Sequence, residues 1–186
     1  MNTQISDRTI LDKFCNDFCK ITEKYTKYIV VSGFVAIASG RVRGTEDIDI
    51  IIERIKKNAF IKLHNELTKN KFVCMQSDDP EEIYVGYLDT YLNMYYTYKN
   101  QLVPQIELKF VKDDLDEYQM KTREKLPLTG LDVWFSSINM NIAFKEEYLK
   151  SDKDLEDAKH LRIIYSEKVD EKEISKIKNM LNRRNI

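Results

Sequence analysis

Ser32-Gly33-Phe34 and, a short way on, Arg43-Gly44-Thr45-Glu46-Asp47-Ile48-Asp49-Ile50 are the stretches around which the rest of this chain can be organised. The first closes the apolar run Tyr28-Ile29-Val30-Val31 with a small-residue turn, and the second alternates two acids with isoleucine. On a strand, alternate residues share a face, so Asp47 and Asp49 point one way while Ile48 and Ile50 face a core. Two carboxylates on one strand face repel each other unless a cation sits between them. Two readings compete: solvated acids at a strand end, or a site for a hard divalent ion such as Mg2+, which takes a few carboxylates together with waters and substrate phosphates. The context favours the second. Three of the five glycines in the chain, Gly33, Gly40 and Gly44, precede the acids, and glycine lets backbone N–H groups approach a phosphate.

The 186 residues suffice for one domain with a small helical appendage, and the 30 basic and 31 acidic residues leave a formal net charge of -1. Such a balance argues against a dedicated non-specific nucleic-acid binder and leaves room for a local basic patch. No run of about eighteen apolar residues suggests a membrane span. The start Met1-Asn2-Thr3-Gln4 lacks the basic-then-apolar order of a secretory signal, so a cytoplasmic location is expected. The odd count of three cysteines fits a reducing compartment. Cys15, Cys19 and Cys74 show no zinc-type spacing with His64 or His160, and read as buried free thiols.

Apolar residues at three- and four-residue steps predict a helix from about Ser6 to Tyr25. A strand at 28–32, a short helix at 34–39 and the acid-bearing strand from about Glu46 to Ile52 follow. Asn58 is expected to cap a helix running to about Asn70. Next come a strand at 72–75, a helix start at Asp79-Pro80-Glu81-Glu82, and a hairpin of strands at 93–98 and 105–111. A second hairpin is expected from Lys121–Leu128 and Leu131–Phe135 around Thr129-Gly130. Ser137 and Ser151 open two helices, and a last one runs from about Glu171 to Arg184. The expected fold is α+β: a mixed sheet flanked by helices over residues 1–136, with a C-terminal helical subdomain, 137–186, packed on it.

In Gln105-Ile106-Glu107-Leu108-Lys109-Phe110 the apolar residues alternate with Glu107 and Lys109. Read by itself, this is an ion pair on a wet face, which is worth little. The tyrosines between Tyr84 and Tyr98 offer stacking surfaces for a base, but half-buried core rings with a wet hydroxyl are the preferred reading. Lys176, Lys178, Arg183 and Arg184 read either as an RNA contact or as a solvated helix end.

An apolar strand, a Gly-Gly or Gly-Ser turn, a short helix and then Asp-apolar-Asp resembles the DNA polymerase beta-like nucleotidyltransferase superfamily. The form Arg43-x-Thr45-x-Asp47-x-Asp49 is similar to the abortive-infection (type IV toxin-like) nucleotidyltransferases and their relatives. Ser32 stands where the first glycine of a Gly-Gly pair is usual. The resemblance implies a transferase that moves a nucleoside monophosphate from a nucleoside triphosphate to an acceptor hydroxyl and releases pyrophosphate. It implies Mg2+, or Mn2+ in its place, held by Asp47, Asp49 and Glu107, the last matching the superfamily's third carboxylate. Ser32 and Gly33, helped by Arg43 or Thr45, are implied to cradle the triphosphate. Further on, Lys145 and Lys153-Asp154-x-x-Asp157 match the toxin pattern. Lys145 is implied to meet phosphate charge, and Asp157 either to orient that lysine or to act near the attacking hydroxyl. The acceptor implied is an RNA end such as tRNA, or a small molecule. The rival expectation is a non-catalytic member of a toxin–antitoxin pair that keeps the fold and binds a partner protein.

Overall fold

The computed structural model describes residues 3–45 and 47–183, with side chains from residue 10 onward. Glu46 and Arg184, included above in a strand and in a helix, lie outside the described residues, as does the side chain of Ser6. A seven-stranded mixed sheet forms the middle of the molecule. Its strands are β1 (Tyr28–Val31), β2 (Asp47–Ile52), β3 (Phe72–Cys74), β4 (Met94–Tyr98), β5 (Gln105–Phe110), β6 (Glu124–Lys125) and β7 (Trp134–Phe135). Across the sheet the order is β3-β4-β5-β2-β1-β7-β6. β2 pairs antiparallel with β1 and parallel with β5.

The alternation in β2 and β5 gives the sheet two unlike faces. Ile48, Ile50 and Ile52 of β2, with Ile106, Leu108 and Phe110 of β5, are buried in the main core. That core is closed by α1 (Thr3–Thr22) and α3 (Lys57–Lys69) through Phe14, Phe18, Phe60 and Leu63, and α2 (Gly33–Ala38) adds Phe34 to Ala38. On the other face, Ile29, Ile51 and Met120 make a small second cluster, with Val31 and Val111 packed against it. Asp49, Glu107 and Lys109 share this face by strand parity, beyond the patch those apolar residues cover.

Met120 belongs to α5 (Asp114–Lys121), a helix that sequence periodicity did not suggest. Its signal was local: Asp113 accepts from the Leu115 and Asp116 amides, and acids fill the first turn. The second hairpin is correspondingly shorter than expected, since Lys121 ends the helix and only Glu124–Lys125 and Trp134–Phe135 pair. Asn58 is not a cap either. It is the second helical residue of α3, and Lys56 occupies the cap position with no side-chain bond.

A short α4 (Pro80–Ile83) begins on Asp79, whose side chain accepts from the Glu81 amide, and runs into a π-helical turn at Tyr84–Leu88. The C-terminal part is helical: α6 (Ile138–Phe144), a π-helical turn at Lys145–Leu149, α7 (Asp152–Ile164) and α8 (Glu171–Asn182). Ser137 and Ser151 do cap α6 and α7, accepting from Met140 and Asp154 amides. Ile142, Leu161, Ile174, Ile177 and Leu181 join the same core as the sheet.

The tyrosines behave mostly as structural groups. Tyr96 is fully buried with its hydroxyl 2.9 Å from Nδ1 of His64, and the Tyr84 and Tyr98 hydroxyls bond the Ile55 carbonyl and Asp17. All three cysteines are buried and free. The basic C-terminal residues are partly committed, Lys178 to Glu146 at 2.7 Å and Lys176 over the Tyr118 ring. No helix among the described residues is long and apolar enough to cross a membrane.

Candidate active site

The parallel ladder between β2 and β5 sets Asp49 beside Glu107 and Asp47 beside Gln105. Neighbouring strands stand about 4.8 Å apart, so two carboxylates in register on one face meet at close range. They form part of the wall of a cleft of about 790 Å³, which is also lined by Ser32, Lys109 and Lys145. The far wall comes from the start of α5 and from Phe144, Tyr148 and Leu181.

Both acids are held above the usual carboxylate range. For Asp49, burial is the main cause; a hydrogen bond from Ser32 opposes it, and the charge of Asp47 adds to it. For Glu107, burial again leads, followed by the charge of Asp49, with a Tyr95 hydrogen bond acting the other way. The nearest cations do not quench this repulsion by direct pairing. Lys109 is drawn to Asp116, with Nζ 3.5 Å from Oδ2, and Lys145 is drawn to Asp157 and Asp154 at 3.0 and 3.3 Å. Glu107 Oε1 accepts a bond from Asn93.

Ser32 sits between β1 and α2 with φ 65° and ψ -136°, a left-handed backbone that glycine adopts at little cost and serine does not. Its side chain makes no capping bond to α2, which leaves the hydroxyl for Asp49. At Gly33 the turn is also covered by a side chain. A Cβ there would overlap the Arg43 guanidinium, whose Cζ would lie only 3.2 Å away. Arg43 lies over the turn and reaches Asp157, with Nη2 3.0 Å from Oδ2.

Asp157 is therefore a hub. Fully buried on α7, it faces Lys145, Arg43 and, at 3.5 Å, Nε of Arg41, which also pairs with Glu156. Lys145 is itself only 1% exposed. The last pairing is imperfect: Asp157 Oδ1 and the Nε atoms of Arg41 and Arg43 are buried without a hydrogen bond.

The residues singled out from sequence thus fall into three places. Ser32, Asp49, Glu107 and Lys145 line one cleft. Gly33, Arg43 and Asp157 form a chain of contacts next to it. Asp47 is exposed at the first position of β2, where the Thr45 hydroxyl donates to its carbonyl at 3.1 Å. Sequence reading missed Arg41, Asn93, Tyr95 and Asp116. Arg41 and Asn93 carried no pattern that separates them from surface residues, while Asp116 was hidden with the unforeseen helix.

The donor set can be tested against a metal ion. Among the described residues no three acidic, imidazole or thiol groups converge as a ready-made cage. Two adjacent hard-oxygen acids with a third at the strand start suit an ion that completes its shell with water and phosphate oxygens, as Mg2+ does. The donors fit such an ion.

No protein-family model and no curated protein matches the chain by sequence. Solved structures do. The antibiotic-resistance factor ANT(2'')-Ia, determined in solution, aligns with a TM-score of 0.59 at 13% identity, over 95% of this chain and 94% of that one. An antigenic nucleotidyltransferase-like protein from Paracoccidioides brasiliensis aligns with a TM-score of 0.51 at 16% identity, over 95% and 87% of the two chains. This chain has the nucleotidyltransferase fold. The α+β architecture expected from the Asp47–Asp49 motif is borne out, with β2 and β5 as adjacent central strands of the nucleotidyltransferase sheet. The narrower likeness to abortive-infection toxins rests on the sequence motif.

Proposed function

We propose that the chain is a Mg2+-dependent nucleotidyltransferase. It would move a nucleoside monophosphate from a nucleoside triphosphate to an acceptor hydroxyl. The observation that carries this reading is the placement of Asp49 beside Glu107 on a cleft wall, with the neighbouring lysines engaged by other acids. Protein interiors rarely leave two acids adjacent without neutralising them unless a ligand does so.

In the reaction, a bond forms between the acceptor oxygen and the α-phosphorus, and the bond from that phosphorus to the bridging oxygen breaks, releasing pyrophosphate. Asp47, Asp49 and Glu107 would hold the divalent ion, whose chemistry is to offset negative charge on the attacking and leaving oxygens. Ser32, on the same cleft wall, favours the ionised form of Asp49 against the effect of burial. Glu107 completes the side of the site that activates the acceptor hydroxyl. Lys145 supplies a point charge toward the phosphates. The geometry supports the orienting role for Asp157, because a fully buried carboxylate 3.0 Å from Lys145 Nζ has no path to an acceptor. Arg43 would add a second cation beside the Ser32–Gly33 turn. The cleft wall mixes Lys109 and Lys112 with Asp113 and Asp114, a lining compatible with an RNA end or a small molecule as acceptor.

The test is incubation with labelled nucleoside triphosphates, Mg2+ and either total RNA or a panel of small hydroxyl compounds. A labelled product is expected from the native protein. Asp49→Asn should lower the rate by about a hundredfold or more, because several kcal/mol of charge stabilisation depend on the ion. Unchanged Mg2+–nucleotide binding in both Asp47→Asn and Asp49→Asn would remove the catalytic claim.

A further inference from the structure

Two residues at the start of β4, Asn93 just ahead of the strand and Tyr95 within it, have no role in the site described above. Asn93 and Tyr95 are half-buried and flank the core-facing Met94, so they share the sheet face that holds the acids. The antiparallel register places Tyr95 directly opposite Glu107, with Met94 opposite Leu108. Directly opposite side chains in such a pair stand about 4.5–5.5 Å apart at Cβ, which is contact distance for a phenol and a carboxylate. Asn93 Nδ2 donates to Glu107 Oε1, and the register sets the Tyr95 phenol beside the same carboxylate. The platform beneath them is fixed: the Tyr95 amide is held by the Gln76 side-chain oxygen at 3.0 Å, and its carbonyl accepts from the Met75 amide at 2.8 Å.

We infer that Asn93 and Tyr95 are positioning residues that clamp the Glu107 carboxylate from the β4 side and turn it toward Asp49 for a shared divalent ion. The inference rests on the metal-site reading above. Two donors on one side of Glu107 satisfy the lone pairs facing β4 and leave those facing β2 for a ligand. Without them the carboxylate, repelled by Asp49, would rotate away. A carboxylate ligand that is itself hydrogen-bonded is the usual arrangement at metal sites, and loss of such outer partners weakens metal binding by about 10- to 100-fold.

The experiment measures Mn2+ binding by isothermal titration calorimetry, without nucleotide, on the native protein and on Tyr95→Phe, Asn93→Ala, the double variant and Glu107→Gln. Tyr95→Phe removes one oxygen and keeps the ring, so it serves even if Asn93→Ala fails to fold, as judged from its thermal melt. Each single variant is expected to weaken Mn2+ binding by about tenfold, and the double variant by more. The Mg2+ concentration for half-maximal transfer should rise in parallel, with the rate recovering at excess metal. Native affinity in a folded Tyr95→Phe variant, while Glu107→Gln has lost it, overturns the clamp and leaves the metal site standing. No change in Glu107→Gln itself, or no Mn2+ binding by the native protein, overturns the metal-site reading and the clamp together.

Discussion

Two groups of charged residues stand on either side of Lys145 and are treated in opposite ways. Around Asp157 the charges are of both signs and paired with one another: Lys145, Arg43 and Arg41 surround one buried carboxylate, while Asp154 and Glu156 also pair with Lys145 and Arg41. Around Asp49 the acids are not directly paired: Glu107 lies in the next strand and Asp47 two residues away, while Lys109 on the same wall is drawn to Asp116. Ionic groups taken out of water need partners, and the first group meets that demand within the chain. The second does not, and it faces an open cleft. One group is scaffolding made of charge; the other is the one on which the proposed function rests.

Mutations can break that contrast in a graded order. The largest effect is expected from Asp157→Ala, which leaves two arginines and a buried lysine with no central anion. Removing one partner of a buried ionic cluster costs about 3–5 kcal/mol, so a urea titration should show a clear fall in midpoint. A midpoint within experimental error of the native one would mean that the hub contributes no stability.

The opposite sign is expected at the cleft. Glu107 has its proton affinity raised by folding, so below the unfolded carboxylate range both states are protonated and nothing is lost. As pH climbs through that range, the unfolded chain ionises first and stability falls until the folded group has also ionised. Metal-free Glu107→Gln should therefore be more stable than the native protein at neutral pH, by about 0.5–2 kcal/mol. The gain should vanish below about pH 4, where the carboxyl of the unfolded chain is also protonated. Chemical denaturation at several pH values in the presence of a chelator measures it. A gain that persists undiminished into acid would show that charge repulsion is not its source.

The smallest effect belongs to Ser32→Gly. A left-handed backbone costs a non-glycine residue about 1–2 kcal/mol, but glycine also loosens the unfolded chain by about 0.4–1 kcal/mol. A net gain of about 0.5 kcal/mol is expected from these two magnitudes. It sharpens the comparison by separating backbone strain at the turn from carboxylate repulsion beside it.

Much of this arrangement was legible before any coordinates. The Asp47–Asp49 alternation and the apolar parity of 106, 108 and 110 assigned the two sheet faces correctly, because a period of two leaves no freedom once one face is buried. The caps at Asp79, Ser137 and Ser151 were readable for the same local reason. The helix 114–121 was not, since its eight residues bury Asp116 and Gln119 along with Leu115 and Met120 and so show no clear apolar period. Nor was the clamp on Glu107, because strand register between residues far apart in sequence is a property of the folded sheet. Gly33 was identified, but the Arg43 side chain that packs over it was not foreseen there.

The parallel pairing of β2 with β5 has a consequence for biosynthesis. Parallel neighbours need a crossover, and here everything from residue 53 to residue 104 intervenes between them. A ribosome that has released only the first half of this polypeptide has exported Asp47 and Asp49 but not their counterpart. Any fragment ending before β5 would lack the strand that carries Glu107, whatever local helices it had formed. Sheet pairing, rather than nearness along the chain, is what brings the two acids of this wall together.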